Sequence, residues 1–276
     1  MPSLSLVIPA FNERSRLPRA LETIRGHVAR TNDDWEIIVV DDGSTDATRE
    51  VVGAVASRWS AIRLIEHGRN RGKGAAVKTG IAASRAPVIG FTDADLAAPI
   101  EQIDLLMKDL TDADIAIVSR GLSGASLGTR QSLLREAMGR AYALTAAALL
   151  IRGLPDAQCG LKLFRAHAAR EIFQDVVEDG ITFDTEALLV ATKRGFRISQ
   201  RPAIWSHDPD SRIRFSFAMA LDVAASIVRL KLRHRVRFPV RAVGPIRPPA
   251  LTFHPVHDET PTIAQPTVEE ASAPIG

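Results

Sequence analysis

Short apolar segments recur along the first 120 residues, and a polar stretch follows each of them. Five segments have the length and β-branched content of buried strands, and they cover residues 4–8, 36–40, 62–66, 87–91 and 114–118. Helical patterns lie between them, one from about residue 18 and others over about residues 46–59, 73–84 and 99–110. Apolar strands that alternate with helices predict an α/β fold, with a mainly parallel sheet covered by helices on both faces.

The second half of the chain has a less regular pattern. We predict a long helix over 129–151, strands over 161–165 and 197–201, and helices over 166–176, 184–194 and 217–234. Eight of the sixteen prolines fall within residues 239–276, where apolar residues show no periodicity. We therefore expect a folded part over residues 1–238 and a disordered, Pro-rich tail over 239–276.

Composition and charge narrow the class of protein. No apolar run reaches the roughly 18 residues of a membrane-spanning helix. The chain has a single cysteine, Cys159, which fits a reducing compartment, and we expect its small side chain to fill space in the core. Residues 212–237 carry seven Arg or Lys against one acid, Asp222. This basic amphipathic helix, with Val228 and Leu232 on its apolar face, suits an anionic membrane surface. Nucleic acid is disfavoured because the base-stacking aromatic pattern of an RNA or single-strand binder is missing, with one Tyr and three Trp in the chain.

Two aspartates at the end of the fourth predicted strand are the first candidate site. Asp93 and Asp95 are two residues apart, so both carboxylates can point to the same side and reach one hard cation. Magnesium is commonly held by one or two carboxylates together with substrate phosphates. A solvated turn is the alternative, but ligands of parallel sheets bind at the carboxyl ends of the strands, where this pair lies.

Other polar residues at the same sheet edge are further candidates. Asp42 could bind a ribose or a base edge, whereas we expect Asp46 to cap a helix. Lys73 and Arg71 flank glycines just before a helix, which suits phosphate, although the same loop could be a flexible basic turn. His207 could complete a metal site. Arginines match phosphate bidentately, and three of them follow the fifth strand: Arg120, Arg130 and Arg135.

Four segments, taken in order, resemble the motifs of family 2 glycosyltransferases. They are VIPAFNE (7–13), VVDDGSTD (39–46), NRGKGAAVKTG (70–80) and TDADLAAP (92–99). Three more resemble the branch that acts on dolichyl and polyprenyl phosphates: DAQCGLKLF (156–164), FDTEALLVA (183–191) and AIWSHDPDSRIRF (203–215). The resemblance implies a GT-A, Rossmann-like fold with a nucleotide-binding half over 1–119. It implies an acceptor half with membrane-facing helices over 120–238.

The resemblance also implies roles for individual residues. The nucleotide pocket would be lined by Pro9, Ala10, Glu13, Asp42, Lys73, Asp93 and Ala94. Asp93 and Asp95 would hold Mg²⁺ or Mn²⁺ on the diphosphate. Because Ala97 stands where some relatives carry a polar residue, water or His207 would substitute for a third ligand. The acceptor phosphate would be bound by Arg120 and Arg130, with Arg135 and Gln158 beside them. Asp184 and Glu186 would border the same site.

The expected reaction is an inverting, metal-dependent transfer of a sugar from a nucleotide sugar to a polyprenyl or dolichyl phosphate. A UDP-linked glucose is the favoured donor, with N-acetylgalactosamine and mannose as competitors. A phosphate is already largely anionic at neutral pH, so it needs no general base. Eukaryotic relatives carry a membrane segment before the catalytic domain. We expect this chain instead to lie in the cytoplasm, peripheral on a membrane, through its basic helix, the 137–151 segment or a small membrane partner.

Two alternatives stay open from the sequence. A family 2 enzyme with a soluble glycan acceptor would need a carboxylate base, for which Asp184 or Glu186 could serve. A protein that binds nucleotide or a membrane surface without catalysis is disfavoured by the intact pair of aspartates. A sugar nucleotidyltransferase is less favoured, because the first strand leads into PAFNE and not into a Gly-rich loop.

Overall fold

The computed structural model describes residues 1–128, 133–206 and 217–248. Its strands are β1 (Leu4–Ala10), β2 (Trp35–Asp41), β3 (Ile62–Glu66), β4 (Val88–Phe91), β5 (Ile115–Ser119), β6 (Ser126–Leu127), β7 (Ile151–Arg152), β8 (Lys162–Arg165), β9 (Ile198–Pro202), β10 (Ile204–Trp205) and β11 (Val240–Arg241). Its helices are α1 (Leu17–Thr31), α2 (Thr48–Ala56), α3 (Lys73–Ala83), α4 (Gln102–Asp109), α5 (Leu133–Leu149), α6 (Ala166–Asp175), α7 (Phe183–Lys193) and α8 (Phe217–Arg233). The main strands and the helices lie close to their predicted positions.

Seven strands form the central sheet in the order β3-β2-β1-β4-β8-β5-β9. β8 is antiparallel to both of its neighbours, β4 and β5, whereas the other pairs are parallel. The carboxyl ends of the parallel strands therefore meet at one edge of the sheet, and the segment that enters β8 lies at this same edge. The predicted mainly parallel α/β fold is confirmed.

Alternating side chains of the central strands pack into two layers, one on each face of the sheet. In β1, Leu6 and Ile8 belong to one core cluster, while Val7 belongs to the other. Helix α1 covers the first layer because its buried residues recur at helical spacing, at Leu17, Leu21 and Ile24. The sheet is thus buried on both faces, and its loops at the carboxyl edge are left to form a site.

The start of the predicted tail needs correction. Val240 and Arg241 pair with β7. Val243 forms a β-bridge to Arg197, just before β9, and Ile246 forms one to Gln200 within β9. Arg247 adds an ion pair with Asp112, with the guanidinium nitrogen 2.6 Å from the carboxylate. Backbone pairing and this ion pair hold residues 240–247 although they show no apolar periodicity. The rest of the proposed tail, 249–276, lies outside the described residues.

Two smaller outcomes concern helices. Ala47, not Asp46, occupies the N-cap position of α2, although the Asp46 carboxylate accepts a hydrogen bond from the backbone N–H of Thr48 at 3.1 Å. Among the described residues, no helix has both the length and the apolar content to cross a bilayer.

Candidate active site at the carboxyl edge of the sheet

The loops after β1 and β2 interlock at this edge. The Asn12 side-chain oxygen accepts a hydrogen bond from the backbone N–H of Thr45 at 2.8 Å, and the Ser44 hydroxyl accepts one from the backbone N–H of Asn12 at 2.8 Å. Asn12 has a positive φ of 58°, a conformation that Asn tolerates well. These contacts fix the chain just after Pro9 and Ala10, two of the residues expected in the nucleotide pocket.

Glu13, also expected in the pocket, is engaged by a neighbouring arginine. Its carboxylate accepts a hydrogen bond from Arg16 Nε at 2.7 Å, and only 13% of its side chain is exposed. Arg16 also lies 3.8 Å from the carboxylate of Asp95. Arg16 therefore connects the loop after β1 to the pair of aspartates after β4.

Asp42 organises the glycine-rich loop that precedes α3. Its buried carboxylate accepts hydrogen bonds from the backbone N–H groups of Arg71 at 3.0 Å and Gly72 at 2.8 Å, and it contacts His67 Nδ1 at 2.7 Å. The predicted contact of Asp42 with a nucleotide stays a prediction. What the structure adds is that this carboxylate also sets the shape of the loop that carries Lys73.

The start of α3 is covered by a segment from the second half of the chain. The backbone N–H of Gly74 donates to the carbonyl of Asp179 at 2.7 Å. A Cβ at Gly72 would lie 2.3 Å from that same carbonyl oxygen, and Gly72 has a φ of 104°. Glycine is therefore required at Gly72 on both counts. The N–H of Gly74 is therefore already bonded within the chain, and phosphate binding by the side chains of Lys73 and Arg71 stays a prediction.

Lys73 and Asp93 form an ion pair at the centre of the edge, with Nζ 2.5 Å from Oδ1. Burial disfavours the charged form of this lysine, but the negative charges of Asp93 and Asp184 outweigh the effect of burial and raise the pKa of Lys73. Burial likewise disfavours the charged form of Asp93. Lys73 overcomes this effect, with help from Lys162 and Arg120, and lowers the pKa of Asp93 below its usual value. Both groups are therefore charged at neutral pH.

Asp95 is less well compensated than Asp93. Burial, and then the neighbouring charge of Asp93, raise the pKa of Asp95, while the backbone N–H of Ala97 donates to its carboxylate at 3.1 Å. Two nearby carboxylates with one direct ammonium partner attract a further cation. Two oxygen-donor groups, 36% and 23% exposed, fit a divalent ion that also binds substrate phosphates. Within the part of the chain that the structure describes, no group of three potential ligands occurs.

Arg120 is held by a carboxylate that the sequence analysis did not single out. Asp156 accepts hydrogen bonds from Arg120 Nε at 2.7 Å and Nη2 at 3.1 Å, and the guanidinium carbon lies 5.5 Å from the centre of the Trp205 ring. Burial opposes the charge of the carboxylate, but Arg120 lowers the pKa of Asp156. Gln158 follows in the same turn, and its backbone N–H also donates to Asp156, at 3.0 Å.

The two carboxylates of α7 are buried and engaged. Asp184 lies 2.7 Å from Lys162 Nζ, and the Glu186 carboxylate accepts hydrogen bonds from the backbone N–H of Val177 at 2.9 Å and contacts His234 Nε2 at 2.7 Å. Burial raises the pKa of Asp184. Their side chains are 3% and 0% exposed. Neither has the exposure that a general base for a soluble acceptor requires.

Three of the expected site residues cannot be placed with the others. Arg130 and His207 lie outside the described residues, and Arg135 falls within α5, where its predicted contact with the acceptor stays a prediction. The residues that the sequence analysis missed are Asp156, Gly160 and Lys162. All three lie in the quoted motif DAQCGLKLF, and the lysine between Leu161 and Leu163 is a charged residue inside an apolar strand pattern.

A comparison with known families decides the class. The model of glycosyl transferase family 2 matches residues 5–173. The chain belongs to the family 2 glycosyltransferases. The matched region contains the aspartate pair, Lys73, Arg120 and the motif at 156–164, so the resemblance stated from the sequence is confirmed.

Relatives of this family 2 glycosyltransferase include several dolichyl-phosphate beta-glucosyltransferases. The protein from Trichomonas vaginalis is 35% identical over 233 residues, which cover 79% of this chain and 69% of that protein. The protein from Dictyostelium discoideum is 33% identical over 244 residues, with 84% and 74% covered. The human protein is 29% identical over 245 residues, with 84% and 75% covered.

Solved structures share the fold of this glycosyltransferase. A glucosyl-3-phosphoglycerate synthase from Mycobacterium tuberculosis, in complex with Mn²⁺, UDP and phosphoglyceric acid, has a TM-score of 0.61 at 19% identity and covers 86% of this chain and 80% of its own. A mannosyltransferase from Pyrobaculum calidifontis, in complex with GDP-Man and Mn²⁺, has a TM-score of 0.56 at 20% identity, with 86% and 64% covered. At these identities the likeness establishes the GT-A fold.

Proposed function

We propose that this protein transfers glucose from UDP-glucose to a polyprenyl or dolichyl phosphate, with inversion at the anomeric carbon. The observation that carries the proposal is the cluster of Asp93, Asp95 and Lys73 at the carboxyl edge of the sheet in a family 2 chain. Dolichyl-phosphate beta-glucosyltransferases 29–35% identical over most of the chain support both the sugar and the acceptor. The product would serve as a lipid-linked sugar donor for cell-envelope or glycan assembly.

The donor side uses the residues around β1, β2 and α3. Pro9, Ala10, Glu13, Asp42 and Ala94 would contact the nucleotide, as the family resemblance implies. Asp93 and Asp95 would hold Mg²⁺ or Mn²⁺, which, when bound, stabilises the charge that develops on the leaving diphosphate. Lys73 now pairs with Asp93 at 2.5 Å. It would extend the positive potential of the site toward the diphosphate.

The acceptor side begins at Arg120, which Asp156 and Trp205 hold in place. Arg120, together with Arg130, Arg135 and Gln158, would bind the acceptor phosphate and offset the repulsion between two anions. The buried positions of Asp184 and Glu186 favour this acceptor over a soluble glycan, because a hydroxyl needs an accessible base and a phosphate does not. Attack by the phosphate oxygen in line with the leaving diphosphate inverts the anomeric centre.

A membrane contact through α8 is part of the proposal. Ile227 and Leu230 of α8 pack into the core, whereas Val228 and Leu232 on another stripe are 52% and 72% exposed. Leu144 of α5, a helix that packs against α8, is also 72% exposed. Basic residues surround this stripe in the sequence. Such a combination suits the cytoplasmic, anionic face of a membrane, where a lipid acceptor would be within reach of the site.

A transfer assay tests the proposed function. Purified protein is mixed with Mn²⁺ or Mg²⁺, a short polyprenyl phosphate, and separately UDP-glucose, UDP-N-acetylgalactosamine, UDP-galactose or GDP-mannose. We expect a lipid-phosphate-glucose, detected by mass spectrometry, that disappears when EDTA is added. Binding of UDP without a lipid product from any donor would show that the acceptor is of another class.

A further inference from the structure

A buried ion pair lies directly behind the two halves of the proposed site. Lys162, the first residue of β8, has no exposed side-chain surface, and its ammonium lies 2.7 Å from the Asp184 carboxylate. The same ammonium donates to the backbone carbonyl of Cys159, and it lies 5.3 Å from the centre of the Phe91 ring. Lys162 therefore joins the turn before β8 to α7.

Stability alone is a poor reason for this arrangement. Removing two charges from water is costly, and replacing a buried ion pair by neutral groups of similar volume is often neutral or stabilising. A buried pair of this kind is instead expected where its directional contacts fix a particular arrangement of the chain. The question is which arrangement depends on Lys162.

The topology of the sheet answers this question. β8 runs between β4 and β5, and Lys162 lies opposite Phe91 on one side and Ile117 on the other. These two strands lead to Asp93 and Arg120, respectively. The turn over residues 156–160 lies between the ends of both strands. The Lys162 ammonium holds this turn through the backbone carbonyl of Cys159.

Each end of this turn contacts one side of the proposed site. At its start, Asp156 holds the guanidinium of Arg120 with two hydrogen bonds. At its end, Gly160 lies against the metal-site carboxylate, so that a Cβ at Gly160 would be 2.2 Å from Asp93 Oδ2. A displacement of the turn would therefore move both the donor-side carboxylate and the acceptor-side arginine.

We propose that Lys162, neutralised by Asp184, is a positioning residue that fixes the turn over 156–160 and thereby sets the separation between Asp93 and Arg120. The inference rests on the proposed function, because it gives Asp93 and Arg120 their roles. It assigns Lys162 no contact with substrate. Its predicted consequence is a loss of transfer that accompanies local opening of the turn, without global loss of stability.

The single cysteine provides a direct probe of the turn. Cys159 is 1% exposed, and burial, followed by the charge of Asp156, raises the pKa of its thiol to about 11. A maleimide can therefore modify this thiol only when the turn opens. The rate of labelling under native conditions reports local opening, while thermal unfolding reports global stability.

The test variant is Lys162→Met combined with Asp184→Asn, which removes both charges together and leaves no uncompensated ion. The matched control is Arg201→Met with Asp109→Asn, because this other buried pair contacts neither the turn nor the proposed site among the described residues. We expect labelling of Cys159 about tenfold faster than in wild type, the equivalent of one lost charge-assisted hydrogen bond. We expect kcat for transfer to fall about tenfold to a hundredfold, as for a small misplacement of reacting groups. After any difference in thermal stability is taken into account, the control should match wild type in both the rate of Cys159 labelling and the rate of sugar transfer.

Two results would overturn the inference. One is a folded double variant that labels and transfers at the rates of the control. The other needs no variant: if wild-type Cys159 labels nearly as fast as in urea, the turn is not held. The proposed function fails by a different result, which is wild-type protein that transfers no sugar. Labelling then still decides whether Lys162 fixes the turn.

Discussion

Replacing Arg120 by alanine should affect two measurable quantities for different reasons. The first is stability, because Asp156 would lose its counter-ion in a site where its side chain is only 10% exposed. Breaking a buried pair by removing one partner typically costs about 3–5 kcal/mol. The Arg120 side chain is 31% exposed, so water screens part of this interaction, and we expect a loss of about 2 kcal/mol in the free energy of unfolding.

The second quantity is the catalytic efficiency with the lipid acceptor. A hydrogen bond to a charged group contributes about 1.5–3 kcal/mol. Losing the contact between Arg120 and the acceptor phosphate should therefore lower kcat/KM for polyprenyl phosphate by roughly 10- to 150-fold. The KM for UDP-glucose should change much less if Arg120 binds the acceptor, as proposed. Initial rates at saturating UDP-glucose and varied lipid phosphate measure the effect.

A double variant separates the two effects. In Arg120→Ala with Asp156→Asn, the unpaired charge is removed, so stability should return to within about 1 kcal/mol of wild type. The loss in kcat/KM should persist, because the contact with the acceptor is still missing. If the double variant regained both stability and efficiency, the role of Arg120 would be structural, and the acceptor site would have to be sought elsewhere.

Three further predictions address other parts of the molecule. Gly160→Ala should displace the Asp93 carboxylate and weaken Mn²⁺ binding in the presence of UDP about tenfold; Gly53→Ala, where a Cβ meets nothing within 4 Å, is the control in a titration calorimeter. Burial disfavours the charged form of Glu186, but the hydrogen bonds to its carboxylate, led by that of His234, lower the pKa of Glu186. The charged carboxylate therefore stabilises the fold above its ordinary pKa of 4.5, and this contribution is lost as the pH falls below that value. The difference in melting temperature between wild type and Glu186→Gln should therefore shrink in acid, and a constant difference would contradict this assignment. Leu232→Asp, at a 72% exposed position, should leave the melting temperature nearly unchanged but reduce sedimentation with phosphatidylglycerol vesicles several-fold.

The sequence predicted the elements of the central sheet well because their signals are local. Strands such as Ile37 to Val40 are continuous apolar runs, and their alternation with helices is enough to predict a parallel sheet. The pattern does not reveal that β8 inserts antiparallel between β4 and β5, because strand order depends on packing between distant segments. The pairing of residues 240–247 with the sheet was missed for the same reason.

The site was predicted where one motif carries its own chemistry, and missed where the chemistry depends on contacts between motifs. Asp93 and Asp95 are recognisable from their spacing after a strand. Asp156 is not, because its role follows from lying beside Arg120, 36 residues earlier in the chain. Lys162 could have been noticed as a charged residue in an apolar strand, but its partner is known only from the fold.

The charges of the proposed site suggest why the acceptor side needs more than Arg120. Five acidic side chains face four basic ones at this edge: Asp93, Asp95, Asp156, Asp184 and Glu13 against Arg16, Lys73, Arg120 and Lys162. A divalent cation and the diphosphate of a nucleotide sugar cancel each other, so donor binding would leave this small negative excess unchanged. The acceptor phosphate would bring about −1.5 to −2 further charges, whereas Arg120 and Lys162 are each already paired with a carboxylate. We therefore expect acceptor binding to depend on cations beyond Arg120, and the candidates that the sequence offers are Arg71, Arg130 and Arg135.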